Sequence, residues 1–408
     1  MSVCNGRPEI LPILADALEE AGCPDTALLT HCRQQSSHKP GCYLASILRQ
    51  LLFDKAVVDA WVAEKATLAW LKVEDFGSFE YVAEDDGQPG HLPLFHLSAW
   101  PDGKLTSLPD PDSHFALDLR LVRIPEGELR QLARFKSLHS LGLDFRHDTK
   151  PGLGQLVELE SLQSLYVWGQ GVTDSILGEL ACLERLQTFG TWRSTLTDAG
   201  LSQLAELESL HELNLRDYPL TDEGLSQLAR ISNLRALDIR NAKVTDDGMH
   251  DLAQLSNLEV LQIWDNNRLT DRGLIELAAL SKLRILNLGN SQATDATLAQ
   301  ISRLQSLQTL YLWRTQVTDV GMEDIAKLAT LQTLHLGNTS VTNEGLKPLA
   351  VLKDLRVLNL WGTKVTDAAI EDIASFPALC ELGYGASQIT EDGAAELQRR
   401  LPNCNVHG

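Results

Sequence analysis

From Leu138 onward the apolar positions fall in a fixed frame. The pattern L-x-x-L-x-L-x-x begins at Leu138 and returns at Leu162, Leu186, Leu210, Leu234, Leu258, Leu283, Leu307, Leu331, Leu355 and Leu379. Nine of those ten steps are 24 residues long and one, through "WDNNRLTD", is 25. Each unit holds two periods: "LRALDIR" alternates by two, the pattern of a half-buried strand, whereas "VTDDGMHDLAQL" places Met249, Leu252 and Leu255 at helical spacing. A degenerate earlier copy uses Leu117, Leu119, Ile124, Leu129 and Leu132, and "LPNCNV" forms a last stub, so about twelve units run from His114 on.

Thr stands between strand and helix in all ten units from Leu162 on, and Asp follows it in eight, with Asn343 and Glu391 in the others. The Thr is placed to cap the helix by accepting an orphan backbone N–H, and the acid complements the helix dipole. The Gly two positions later, present in seven of these units, marks close packing.

Units such as "LRALDIRNAKVTDDGMHDLAQLSN" resemble leucine-rich repeats, specifically the short bacterial and F-box-associated type with a T-D-x-G-L signature. The resemblance covers residues 114–408 and implies an α/β fold: a right-handed solenoid with a parallel β-sheet on the concave face, helices on the convex face, and each unit buried by its neighbours. Ser or Thr often replaces the family's Asn or Cys after the strand, as at Ser194, Ser291, Thr315, Thr339, Thr363 and Ser387.

In this frame the fourth and sixth places point into the core, and the third, fifth and seventh face the concave surface. The seventh place reads Arg120, Asp144, Trp168, Trp192, Arg216, Arg240, Trp264, Gly289, Trp313, Gly337, Trp361 and Gly385. Five of the chain's eight tryptophans thus share one column, and Trp alternates with Gly from Trp264 on. Arg216 and Arg240 are set to stack against flanking rings. Polar groups accompany the rings at the fifth place, including Tyr166, Asp238, Asn287, Tyr311 and His335, and at the eighth, including Arg193, Asp265 and Arg314. Aromatic platforms beside amides and mixed charges suit a protein or peptide partner; they also suit a sugar ring, or the column is simply self-packed.

Residues 1–113 do not repeat. Residues 1–66 read as helices that resemble a companion segment found before repeat arrays in planctomycete-type bacterial proteins, and residues 67–113 as short strands in "LAWLKVED", "FEYVAEDD" and "HLPLFHLSAW". Together they are expected to form an N-terminal helical and small β cap over the first repeat's edge. Cys23, Cys32, His38 and Cys42, with His31 as an alternate, have the residue types of a zinc site without the tight C-x-x-C knuckle; ordinary packing is the competing reading.

A formal charge of -20 excludes nucleic acid and anionic membrane surfaces as partners. No basic n-region precedes an apolar run and no segment reaches membrane-spanning length, so a cytoplasmic location is expected, with seven cysteines as free thiols. No nucleophile elbow, phosphate loop, dinucleotide fingerprint or H-E-x-x-H motif is present, so the expected role is a non-enzymatic interaction module that needs no cofactor. The repeat subtype also suggests a substrate-recognition adaptor of a ubiquitin-ligase-like complex, although "EILPILADALEEAGC" lacks the aromatic pattern of an F-box.

Overall fold

A computed structural model describes residues 55–73, 79–82, 92–101, 103–111, 113–120, 122–125, 127–146 and 152–408. The helices expected before residue 55, the four candidate zinc ligands and the alternate His31 lie outside these residues. The chain divides into two compact units, Met1–Gly171 and Val172–Gly408.

In the first unit, helix α1 (Lys55–Ala63) leads into strand β1 (Ala66–Val73), followed by β2 (Phe79–Val82), β3 (Leu92–Leu97), β4 (Phe115–Leu119), β5 (Leu138–Asp144) and β6 (Ser164–Trp168). β1 pairs antiparallel with both β2 and β3. β3 then pairs parallel with β4, so the short strands join the sheet of the repeats and occupy the edge that β4 would otherwise expose. Trp61 of α1 is fully buried, with its ring 4.6 Å from Phe95 and 5.2 Å from Phe135, and its Nε1 donates to the Pro109 carbonyl at 3.0 Å. That bond satisfies the one polar atom of the largest side chain in this core.

The second unit is a regular right-through array of ten parallel strands: β7 (Thr188–Trp192), β8 (Glu212–Asn214), β9 (Ala236–Asp238), β10 (Val260–Gln262), β11 (Ile285–Asn287), β12 (Thr309–Tyr311), β13 (Thr333–His335), β14 (Val357–Asn359), β15 (Glu381–Gly383) and β16 (Asn405–His407). Short α or 3-10 helices such as Asp295–Ile301 and Asp319–Ile325 connect them. The first, fourth and sixth places are the core, with Leu307, Leu310 and Leu312 all fully buried. A strand of three residues cannot shield such leucines alone, so each unit's core is completed by the next. This is the α/β repeat solenoid that the resemblance of the repeats implied.

At the helix starts the Thr side chain accepts a backbone N–H in eight units, those of Thr197, Thr245, Thr270, Thr294, Thr318, Thr342, Thr366 and Thr390. The following acid does more than complement a dipole. It reaches the Thr of the next unit: Asp319 Oδ1 accepts the Thr342 N–H at 2.7 Å and Oδ2 accepts its hydroxyl at 2.6 Å. The same double bond joins Asp174 to Thr197, Asp222 to Thr245, Asp246 to Thr270, Asp271 to Thr294, Asp295 to Thr318 and Asp367 to Thr390, and Asp198 holds Thr221 likewise. All of these threonines except Thr221 thus donate to the preceding unit while capping their own helix, which repeats the tie from unit to unit.

The recurring Gly follows from that tie. A Cβ on Gly321 would stand 2.5 Å from Asp295 Oδ1, and one on Gly345 2.4 Å from Asp319 Oδ1, so in these units a larger residue would force the carboxylate to shift. Where Thr297 occupies the position, its hydroxyl donates to Asp271 instead. Burial opposes the charged form of Asp271, but the hydrogen bonds from Thr294 and Thr297 outweigh it and hold the carboxyl below its usual range; Thr390 does the same for Asp367. A depressed carboxylate pKa stabilises the fold above the ordinary Asp value of about 4, and that stability is lost as pH falls through the folded value.

Asp319→Ala should lower stability by about 1–3 kcal/mol in urea unfolding, because it strands the Thr342 amide and hydroxyl. Asp319→Asn should cost less, since the native Asn343 already accepts the Thr366 N–H at 2.9 Å. Equal stability of Asp319→Ala and the parent chain would show that the rungs do not hold the array.

Candidate protein-binding face

The sheet face turned away from the helices is built by how each strand ends. Along the array the sixth-place N–H bonds the next unit's fifth-place carbonyl, as Leu312 does to His335 at 2.8 Å, and the eighth bonds the next seventh, as Arg314 does to Gly337 at 2.8 Å. The seventh N–H is skipped by this ladder. Fifth-place Asn or Asp side chains supply its acceptor: Asn214 for Arg216, Asp238 for Arg240, Asn287 for Gly289 and Asn359 for Trp361, at 3.0 to 3.2 Å. Asp238 and Asn287 are buried, so the strand termini already engage them.

The eighth place turns the chain. Arg193, Asp217, Asn241, Asp265, Asn290, Arg314 and Asn338 all have φ between 53° and 62°, the left-handed region. Asn and Asp tolerate it, whereas Arg193 and Arg314 carry the strain of a Cβ there. Asn290 Nδ2 also donates to Asp265 Oδ1 at 2.7 Å, tying one turn to the next. This duty was legible in the run of Asn, Asp and Gly at one place, a signal of turn geometry as much as of binding.

The seventh place retains the tryptophans. Trp192, Trp264 and Trp313 are half-buried and Trp361 is 47% exposed. Trp313 leans back over Gly289, where a Cβ would meet its Nε1 at 2.1 Å, and Trp361 leans forward over Gly385, where a Cβ would meet its ring at 2.6 Å. No indole covers Gly337 between them; the nearest atom to a Cβ there is the Trp361 carbonyl, at 3.3 Å. Trp264 meets Trp313 edge to face at 5.6 Å. Arg240, ion-paired with Asp238, lies 5.0 Å over Trp264, and Arg314 lies 5.9 Å from the Trp313 ring. Stacking of this kind contributes about 0.5–2 kcal/mol per pair. Arg216 takes another course, pairing with Asp217 at 3.3 Å.

Tyr311 and His335 stand side by side on β12 and β13, ring centroids 4.6 Å apart. Burial pushes the His335 pKa down to about 4, only partly countered by Glu381, so the imidazole is neutral at physiological pH. From β10 to β15 the fifth and seventh places (Gln262, Trp264, Asn287, Gly289, Tyr311, Trp313, His335, Gly337, Asn359, Trp361, Gly383, Gly385) then carry no charge, although the chain's net charge is -20.

The first unit has its own version. Tyr166 is buried, 6.3 Å from the Trp168 ring. Arg120 lies 5.1 Å over Trp168 and is bidentate to buried Asp118, which also sits 3.0 Å from His96 Nδ1. Gly142 lets the two meet, since a Cβ there would lie 3.2 Å from Asp118 and 3.4 Å from Trp168. Sequence reasoning placed Arg120 in the column but missed Asp118 and His96, whose fifth-place register in the degenerate first copies was the available signal.

Comparison with known families matches residues 243–404 to a leucine-rich repeat region and residues 231–253 to a leucine-rich repeat. With the geometry above, residues 231–404 form a leucine-rich-repeat region. Among solved structures it is similar to an internalin (inlF) from Listeria monocytogenes, at 19% identity over 82% of this chain and 97% of that one, with a TM-score of 0.51. An internalin C2 from Listeria monocytogenes is 26% identical over 52% of this chain and 83% of that one, with a TM-score of 0.39. A comparison with curated proteins finds no match. Among the described residues no helix is long and apolar enough to cross a membrane.

Gly289→Ala should lift the Trp313 indole, break its edge-to-face contact with Trp264 and change the near-UV circular dichroism, whereas Gly337→Ala should leave that spectrum unaltered. For His335, NMR titration should give a midpoint near 4. The unfolded state then binds more protons between about 4 and the ordinary 6.5, so His335 adds a stability loss as pH falls through that window. His335→Asn should flatten this part of the stability profile in urea unfolding; an unchanged profile would refute the assignment.

Proposed function

We propose that the protein is a non-enzymatic interaction module that binds a protein or peptide across the strands of its concave face, with Trp192, Trp264, Trp313 and Trp361 as the anchor column. The observation that carries this reading is the column itself. Large indoles stand on the water-facing side of the sheet, where no core requires them, and Trp361 keeps nearly half its surface exposed. Such rings bury area at low entropic cost, and an apolar stripe of this kind favours contact with another molecule. Arg193, Arg216, Asp265 and Arg314 flank the column as polar contacts. His335 favours binding over acid–base work, being neutral and tilted against Tyr311 with ring centroids 4.6 Å apart.

The arrangement also separates the anchors by their internal packing. Trp264 and Trp313 support each other and their arginines, which accounts for part of the column as self-packing. Trp361 lies over Gly385 and keeps 47% of its surface exposed. A second reading, a carbohydrate ligand, is favoured by the uncharged strip from Gln262 to Gly385, where rings alternate with amides. A cytoplasmic location fits the free thiols of Cys182, Cys380 and Cys404.

Affinity capture from the native host with the parent chain and with Trp361→Ala tests the reading. The variant should keep its melting temperature and lose partner retention at least tenfold, the effect of about 1.4 kcal/mol expected for one aromatic anchor. Equal capture by both chains would remove the column from the interface. Binding on a glycan array that the same substitution abolishes would favour the sugar.

A further inference from the structure

We propose that Cys380 and Cys404 close a reversible disulfide that fastens the last strand, β16, to β15. The strand register places them side by side. Glu381 pairs with Asn405, Leu382 with Val406 and Gly383 with His407, which sets Cys380 opposite Cys404 one residue earlier, and the Asn405 N–H donates to the Cys380 carbonyl at 2.8 Å. In-register residues of neighbouring parallel strands lie about 4.8 Å apart, inside the roughly 4.4–6.8 Å Cα span of disulfides.

Side chains at this second place of the repeat do reach one another. Arg284 donates to Gln308 at 3.2 Å from the same positions of β11 and β12's units. In the reduced chain Cys380 is exposed, with its Sγ 3.4 Å from the Arg356 carbonyl on the β14 side, and Cys404 is buried. A rotation about χ1 of Cys380 turns its sulfur toward β16. Among the described residues β16 pairs with β15, at the edge of the sheet.

The oxidant is a peroxide. Exposed Cys380 Sγ attacks hydrogen peroxide, the O–O bond breaks, and sulfenic acid and one water form. Cys404 Sγ then attacks the Cys380 sulfur, the S–S bond forms, the S–O bond breaks, and the hydroxyl leaves with the Cys404 proton as a second water. Two thiols are oxidised by two electrons and one peroxide is reduced. Burial, then the neighbouring Cys380 and Glu381, push the Cys404 thiol up to about 11, so closure is slow at neutral pH and speeds about tenfold per pH unit below that value. Cys182, exposed and far along the array in sequence, serves as an internal reference.

The test treats the full native chain with hydrogen peroxide at pH 7 and pH 9, blocks free thiols and maps peptides by mass spectrometry. The expected product is a linked pair holding Cys380 and Cys404, about 2 Da lighter than the two reduced peptides, restored by dithiothreitol and formed faster at pH 9. Cys404→Ser should halt the reaction at a Cys380 sulfenic acid that dimedone traps. Cys380 advancing to sulfinic acid, or pairing with another cysteine while Cys404 stays reduced, would overturn the proposal.

Discussion

Everything in the repeat array depends on neighbours completing one another's cores. A strand of three residues with leucines at its fourth and sixth places buries nothing by itself, yet Leu310, Leu312, Leu334 and Leu336 have no exposed surface. Two adjacent units must therefore hold one register at both of their edges. Strand hydrogen bonds fix one edge, and the Asp-to-Thr rungs fix the other. The rung in turn accounts for the glycine of seven units, where the carboxylate fills the space a Cβ would take.

The same economy governs the opposite face. The ladder leaves the seventh N–H without a strand acceptor, so Asn214, Asp238, Asn287 and Asn359 turn inward to supply one. The eighth place is bound to a left-handed turn. What is left with no structural duty is the seventh side chain, and there the chain has put its tryptophans. Alternation with glycine then lets an indole lie down on a neighbouring strand, which spreads a flat apolar surface along the sheet.

The leaning of the rings gives the face its texture. Trp313 and Trp264 form one supported group with Arg240 and Arg314, whereas Trp361 lies the other way over Gly385. Gly337 is left between the two groups, beside the neutral His335. At the fifth and seventh places of the second unit, charge is confined to Arg216, Asp238 and Arg240, where each guanidinium has its own carboxylate.

The sequence by itself determined the periodicity, the leucine core, the threonine caps and the tryptophan column, because each of these is local or recurs at a constant interval. It also held the turn signal at the eighth place, in residues that tolerate positive φ. Other features needed the fold. The partner of Asp319 is 23 residues away at Thr342, and no pattern within one unit separates an acid that complements a helix dipole from one that ties two helices together. Asp238 and Asn287 looked like free ligand contacts and proved to be buried acceptors, since strand ends decide what a fifth-place side chain must satisfy. The opposite tilts of Trp313 and Trp361, and the burial that keeps His335 neutral, belong to tertiary structure alone: both are set by what the adjacent strands place within a few ångströms, which the order of residues along one strand does not specify.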